Sequence, residues 1–517
     1  MQQVSFAKAE RPVALLHAIV GLVMPRGFGR TLWAIAIVAA VVPGWMNVPA
    51  GASWSGGVCE PPETATPMAD SPEKGRSDDV AAGKPEESWH TIELSGARVG
   101  WSRSVRRTLG DRITTESVSE ITVARGPVSV SVSTESSFVE TKDGKAVSMR
   151  SKMTMAERPT LRELTFGEST VKVVSTTGDT VLNEERNLPE GDWLTPDAAR
   201  KFLASRLKAG AKEIAVKTLD PQSGVEVITT TYRNIKPARV QHGGAEIDGY
   251  ESDVSISNQF AKAKQWMDKD GELLRLEMDL GSFKMVTRAS TRAEAMQERE
   301  EAPEVMLETF ITPDKPIKDP RETTRAVYVL AVEDGELPAL PTTGTQRVEH
   351  VDERTIRVTI NTREPDAADA ADAKDERFTS PSPTVNSDDE KIRALTEKAL
   401  RGREGKSVAE RAELLRRAVH KHITKKNLGV GFATASEVAR DGAGDCTEHG
   451  VLLAAMLRAA GIPSRVATGV IYADQFAGKK DIFGYHMWAQ ALLPLGDGHA
   501  WVDLDATLDD QTPYDAT

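Results

Sequence analysis

The sequence predicts an α+β protein in which antiparallel β-rich domains come first and a compact mixed domain closes the chain. Three observations point there. Residues Val128-Ser129-Val130-Ser131-Val132-Ser133 alternate strictly between apolar and polar, the period of a strand with one wet face. Apart from one helix near residues 195–210, capped, amphipathic helical segments gather after residue 387. Two strand-like runs joined by a Pro/Gly/Asp turn follow the last of them.

The length of 517 residues allows about three domains, and 39 % hydrophobic with 27 % charged residues is a globular balance. A net charge of −12 argues against nucleic acid or an anionic membrane surface as the main partner. Two cysteines cannot build a disulfide framework.

Residues 1–52 read as a signal peptide or membrane anchor. Arg26 and Arg30 precede the apolar run Leu32–Val42, then Pro43-Gly44 and the small-residue pattern Ala50-Gly51-Ala52. A start at Met24 would give a leader of ordinary size. The apolar run is short for a membrane span, which needs about 20 residues. The expected location is therefore exported: periplasmic, or anchored with the C-terminal domain outside the cytoplasm. Residues 53–88 carry Pro, Gly, Ser and mixed charge without periodicity and read as a disordered linker. Cys59, preceded by Val58, reads as an incidental thiol in that spacer.

Residues 89–300 are expected to form a β-rich accessory domain with one helix. Asp143-Gly144 and Asp270-Gly271 mark hairpins, and the helix is capped by Thr195, opened by Pro196 and stopped by Gly210. A long antiparallel sheet curling partly around this helix is the expected picture. Residues 301–365 add a small β module, with strands over Arg325–Val332 and Arg354–Ile360. Residues 366–386, with an Asp-Ala-Ala repeat and Ser380-Pro381-Ser382-Pro383, read as a low-complexity linker.

The remaining stretch, 387–517, carries the chemistry. Ser387 precedes a helix ending at Leu400, and Ser407 with Glu410 forms a capping box for a helix with the stripe Val408, Ala412, Leu415, Val419, Ile423. From Thr447 to Ala460 nothing breaks a helix, Gly461 and Pro463 stop it, and Asp445 with Glu448 makes its capping box. Cys446 then sits in the first turn, where free N–H groups favour an anion and lower a thiol pKa. Gly444 would let a substrate approach. Downstream, His486, Trp488 and Gln490 share one face of a strand. If the hairpin centres on Leu495–Gly496, His486 lies beside Asp505, with Asp503 as rival. His449, three residues after Cys446, is a second candidate base, whereas His420 and His422 lack a third ligand for a metal. A nucleophile, a base and an orienting carboxylate are the parts of acyl transfer.

These residues resemble the transglutaminase-like superfamily, a papain-like cysteine fold. The matching pieces are Gly444-Asp445-Cys446-Thr447-Glu448-His449, Arg458–Arg465, Gly469, His486-Met487-Trp488 and Asp505-Ala506-Thr507. The resemblance implies Cys446 as nucleophile, His486 as base and Asp505 as orienter. It also implies at least one strand beyond the last motif, while the sequence ends at Thr517. Some relatives use calcium, but the acidic–alanine run lacks a rigid loop and reads as solvated linker, so no metal or cofactor is expected. The expected activity is acyl transfer on peptide or glutamine amides through a thioester, hydrolytic in outcome, with a peptide or protein partner at the cell envelope. The alternatives are protein cross-linking and non-catalytic peptide binding.

Overall fold

The computed structural model describes residues 2–5 and 84–517, apart from 127, 157, 221–224, 258–261, 281–282, 299–300, 333–336, 338–339, 427, 429–432 and 511–513. The expected leader apart from residues 2–5, most of the linker and Cys59 lie outside the described residues. Among those described, no helix is long and apolar enough to cross a membrane. The chain is α+β: a large antiparallel sheet precedes a C-terminal mixed region.

The large sheet has 14 strands. From Glu86–Leu94 it meanders outward through neighbouring strands to Thr180–Asn187. The chain then passes through the helix Pro196–Lys208 and restarts at the opposite edge with Ile214–Leu219. It returns strand by strand until Lys284–Ser290 pairs with Glu86–Leu94. Alternation drives it: in Arg112–Arg125 every second residue from Ile113 to Val123 is buried. The helix is held from both halves of the sheet. Leu203 and Leu207 pack with Ile214, Tyr232 and Met267, while Arg106 pairs with Asp197 at 2.9 Å. Thr195 stands at the N-cap but does not cap with its own side chain. Its hydroxyl donates instead to Glu140, whose other oxygen accepts the Asp197 N–H at 2.9 Å. A carboxylate from a distant strand thus caps the helix.

The small module has the strands Arg325–Ala331, Thr355–Asn361 and Gln346–Asp352, with Gln2–Ser5 parallel to the first. Its buried face, Tyr328, Ile356 and Val358, joins Tyr472 and Phe483 of the C-terminal region in one cluster. The stretch 366–386 is not merely solvated linker. It forms a 3-10 turn over Ala370–Lys374 and a short helix over Glu376–Thr379. Phe378 is buried edge-on against Trp501, and Trp501 Nε1 donates to Asp372 at 2.8 Å. Composition marked the exposed side of this segment; two buried contacts decide its conformation.

The C-terminal region packs helices Glu390–Leu400, Val408–His422, Ala435–Asp441 and Cys446–Ala459 against a three-stranded antiparallel sheet. That sheet comprises Ser464–Phe476, Lys479–Leu495 and Gly498–Leu504. The first helix is capped by Asp389, whose side chain accepts the Lys391 N–H. The helix at 435–441, not anticipated above, carries its own signal, a Thr434/Glu437 capping box with Gly442 at φ 57° as the stop.

Candidate active site

The helix Cys446–Ala459 is the centre of the C-terminal core, with Val451 to Leu457 all buried. Its start is built as its sequence demands. Asp445 Oδ1 accepts the Thr447 N–H at 2.9 Å, and Glu448 Oε2 accepts the Asp445 N–H at 2.9 Å. Cys446 is therefore the first helical residue, half-buried and free of any disulfide. At Gly444 a Cβ would lie 2.3 Å from Glu448 Cβ, so the missing side chain makes room for the capping glutamate.

The middle strand brings His486 to that helix start. Alternate residues Ala489, Ala491 and Leu493 pack toward the helix, leaving His486, Trp488 and Gln490 on the other face. His486 is paired with Gly469, and His486 Nε2 lies 2.8 Å from Asp505 Oδ2. The hairpin register differs from the expected one. Leu495 pairs with Gly498 and Ala489 with Leu504, so the turn centres on Gly496–Asp497. Asp505 lies just past the last paired residue, free of the ladder, and turns its carboxylate back to the imidazole. Its other oxygen accepts the N–H and hydroxyl of Thr507 at 2.8 and 2.7 Å. Asp503, the rival, is engaged elsewhere: it accepts from Trp488 Nε1 (2.7 Å), Gln490 Nε2 (2.6 Å) and the Thr345 hydroxyl (2.6 Å).

Burial opposes charge on the His486 ring. The Asp505 carboxylate at 2.8 Å, with the nearby Cys446 sulfur, overcomes it and lifts the imidazolium pKa to about 10. Burial likewise pushes Asp505 up, but its bonds to His486 and Thr507 hold it below the usual carboxylate range. With Nε2 given to Asp505, Nδ1 is left for the sulfur. A ring that keeps its proton at neutral pH stands near the Cys446 sulfur as a ready proton donor.

The sequence profile of the transglutaminase-like superfamily matches residues 393–506. That stretch is a transglutaminase-like domain. No curated protein matches the chain. Among solved structures, a candidate cysteine protease from Cytophaga hutchinsonii is 18 % identical, over 36 % of this chain and 72 % of its own, with a TM-score of 0.23. A candidate protease from Parabacteroides distasonis is 13 % identical, over 76 % of this chain and 63 % of its own, with a TM-score of 0.17. A beta-barrel-like protein of a domain of unknown function from Brucella abortus is 13 % identical, over 40 % of this chain and 96 % of its own, with a TM-score of 0.32.

Within the transglutaminase-like domain the other histidines stand apart from the Cys446–His486–Asp505 line. His449 Nδ1 contacts the Asp445 carbonyl at 2.6 Å, and its Nε2 is buried without a hydrogen-bond partner among the described residues. Burial lowers its pKa. His420 and His422 each contact a backbone carbonyl, of Ala506 and Ala439. Two participants were not singled out by role from the sequence. Thr507, two residues after Asp505, is an Asp-x-Thr pattern that could have signalled a fixed carboxylate. Trp488 stacks on His486, and behind it lies a cavity of about 150 Å³ between the sheet and the small β module, lined by Ile311, Leu330, Leu340, Val470, Trp488 and Asp503.

Proposed function

We propose that this domain performs cysteine-dependent acyl transfer on peptide or glutamine amides, with water as the usual acceptor. The observation that carries the reading is the His486 imidazole, held by Asp505 at 2.8 Å and lying near the Cys446 sulfur at the helix start. In this scheme the Cys446 thiolate attacks the amide carbonyl, and the backbone N–H of Cys446 at the helix start receives the developing oxyanion. The His486 imidazolium gives its Nδ1 proton to the leaving amine, the C–N bond breaks and a thioester remains. His486, now neutral, takes a proton from water, which attacks the thioester and releases the acid and the Cys446 thiolate beside a reprotonated His486. Asp505 holds the ring orientation throughout. An amine in place of water would give a cross-link.

The apolar leader-like run at Leu32–Val42 supports exported substrates at the cell envelope. The test is mass spectrometry of envelope proteins incubated with wild type and with Cys446→Ala. Cleaved chains or a deamidation of about one mass unit, absent with the variant, support hydrolysis. New isopeptide links would reassign the domain to cross-linking. Identical products from both proteins would leave only a peptide-binding module.

A further inference from the structure

Strands of an antiparallel meander reverse direction at each turn, so every second turn falls at the same end of the sheet. Three such turns, next to Arg125, Arg158 and Asp179, meet the transglutaminase-like domain. Arg158 pairs with Glu437 at 3.0 Å, and Asp179 receives Arg440 at 2.9 Å; both contacts fall on the helix Ala435–Asp441. The turn beside Arg125 reaches further, to the start of the Cys446 helix. Arg125 Nη2 lies 3.2 Å from Asp445 Oδ2, and Nη1 donates to the Leu428 carbonyl at 3.2 Å.

That arginine is held in place. Its neighbour Gly126 donates its N–H to Glu304 at 2.6 Å. Ala124 is bonded through both backbone groups, to Pro303 at 2.9 Å and Val305 at 3.0 Å. The Arg125 and Asp445 side chains are 18 % and 7 % exposed, so water screens this pair less than a surface bridge.

Asp445 has two duties that conflict. As N-cap it must be present, yet its negative charge adjoins Cys446 and opposes a thiolate. The structure divides the carboxylate between them: Oδ1 takes the Thr447 N–H and Oδ2 takes the guanidinium. The charged and titratable groups around the helix start are Asp445, Glu448 and His449 of the helix itself, His486 and Asp505 from the sheet, and His420, Lys426 and Arg125 from the surrounding elements. Arg125 is the one of these that the large sheet contributes.

We propose that Arg125 is a positioning residue for the Cys446 nucleophile: it neutralises the Asp445 cap and so favours the thiolate, making the large sheet part of the active site. This rests on the reading of Cys446 as nucleophile. The test uses the full chain and follows alkylation of the Cys446 peptide by iodoacetamide across pH, with mass spectrometric readout so that Cys59 does not contribute. Arg125→Ala should raise the midpoint of the rate profile by about one pH unit, and Arg125→Lys should restore part of the shift. Arg158→Ala breaks another contact of the same interface and should leave the profile in place. A wild-type profile for Arg125→Ala overturns the proposal. So does an equal shift in Arg158→Ala, which would mean that any loosening of the interface has the same effect. His486→Ala, run alongside, separates the two readings. If it leaves Cys446 as reactive at low pH as wild type, the nucleophile–base reading fails, while the Arg125 comparison still decides this one.

Discussion

The Trp488 ring lies nearly parallel to the His486 ring, with centroids 6.2 Å apart and planes 17° from coplanar. The arrangement needs Gly469, which pairs with His486 across the ladder: a Cβ there would sit 2.7 Å from the Trp488 ring. Gly469→Ala should tilt the indole away from the imidazole and strain its bond to Asp503. The expected cost is about 1–3 kcal/mol of stability, the usual penalty for overpacking. Cys446 alkylation at neutral pH should slow as His486 loses its support. An urea midpoint and an alkylation rate both equal to wild type would show that the ring has room to move.

His486 should make stability depend on pH in a known direction. Its folded-state pKa of about 10 exceeds the ordinary value of 6.5, so the folded protein binds the proton more tightly than the unfolded chain. The stabilisation is complete below about pH 6.5 and is lost as pH rises through about 10. In His486→Gln this slope should vanish. Urea midpoints at pH 6, 8 and 10 for both proteins check it, and parallel curves would contradict the shared-proton picture.

The capping contact of Trp501 on the 366–386 segment offers a third check. Asp372→Ala removes the acceptor of a buried indole N–H held at 2.8 Å. The loss should be about 1–3 kcal/mol, with no change in the pH profile of Cys446 alkylation. A change in that profile would mean that the segment reaches the active site.

What the sequence revealed and what it hid divide by range. The Ser407/Glu410 and Asp445/Glu448 capping boxes were legible because both partners of each lie within one turn. The cap of the first helix was not fixed by sequence, because Ser387-Asp388-Asp389 offers three residues able to cap, and Asp389 takes the place. The hairpin register hinged on which pair forms the turn, and moving it to Gly496–Asp497 carries Asp505 out of the ladder. His486 and Asp505 still meet, because a carboxylate beyond a strand end can swing where a paired one cannot. Arg125 lies 320 positions before Asp445, and the turn that carries it has no local feature naming its partner. The packing of Phe378 under Trp501 was hidden the same way, beneath a composition that reads as solvent-exposed.

Glu448 gives the final prediction. Its side chain is fully buried, accepts the Asp445 N–H at 2.9 Å and the Ala433 N–H at 3.1 Å, and pairs with no cation among the described residues. Burial and the adjacent Asp445 carboxylate raise its pKa to about 8, so it is mostly a neutral acid at pH 7. The sign is the same as for any group raised on folding: the protein loses stability as pH climbs from about 4.5 through about 8, where the unfolded carboxyl ionises freely and the buried one resists. Glu448→Gln keeps an acceptor oxygen and discards the proton. It should fold as well as wild type at pH 6, gain on it by pH 9, and retain the helix start. Glu448→Ala should instead cost about 1–3 kcal/mol at every pH, because two backbone N–H groups lose their acceptor. If Glu448→Gln is no better placed against wild type at pH 9 than at pH 6, the carboxyl is ionised throughout, and a cation near it, Arg125 first, must be compensating for the charge.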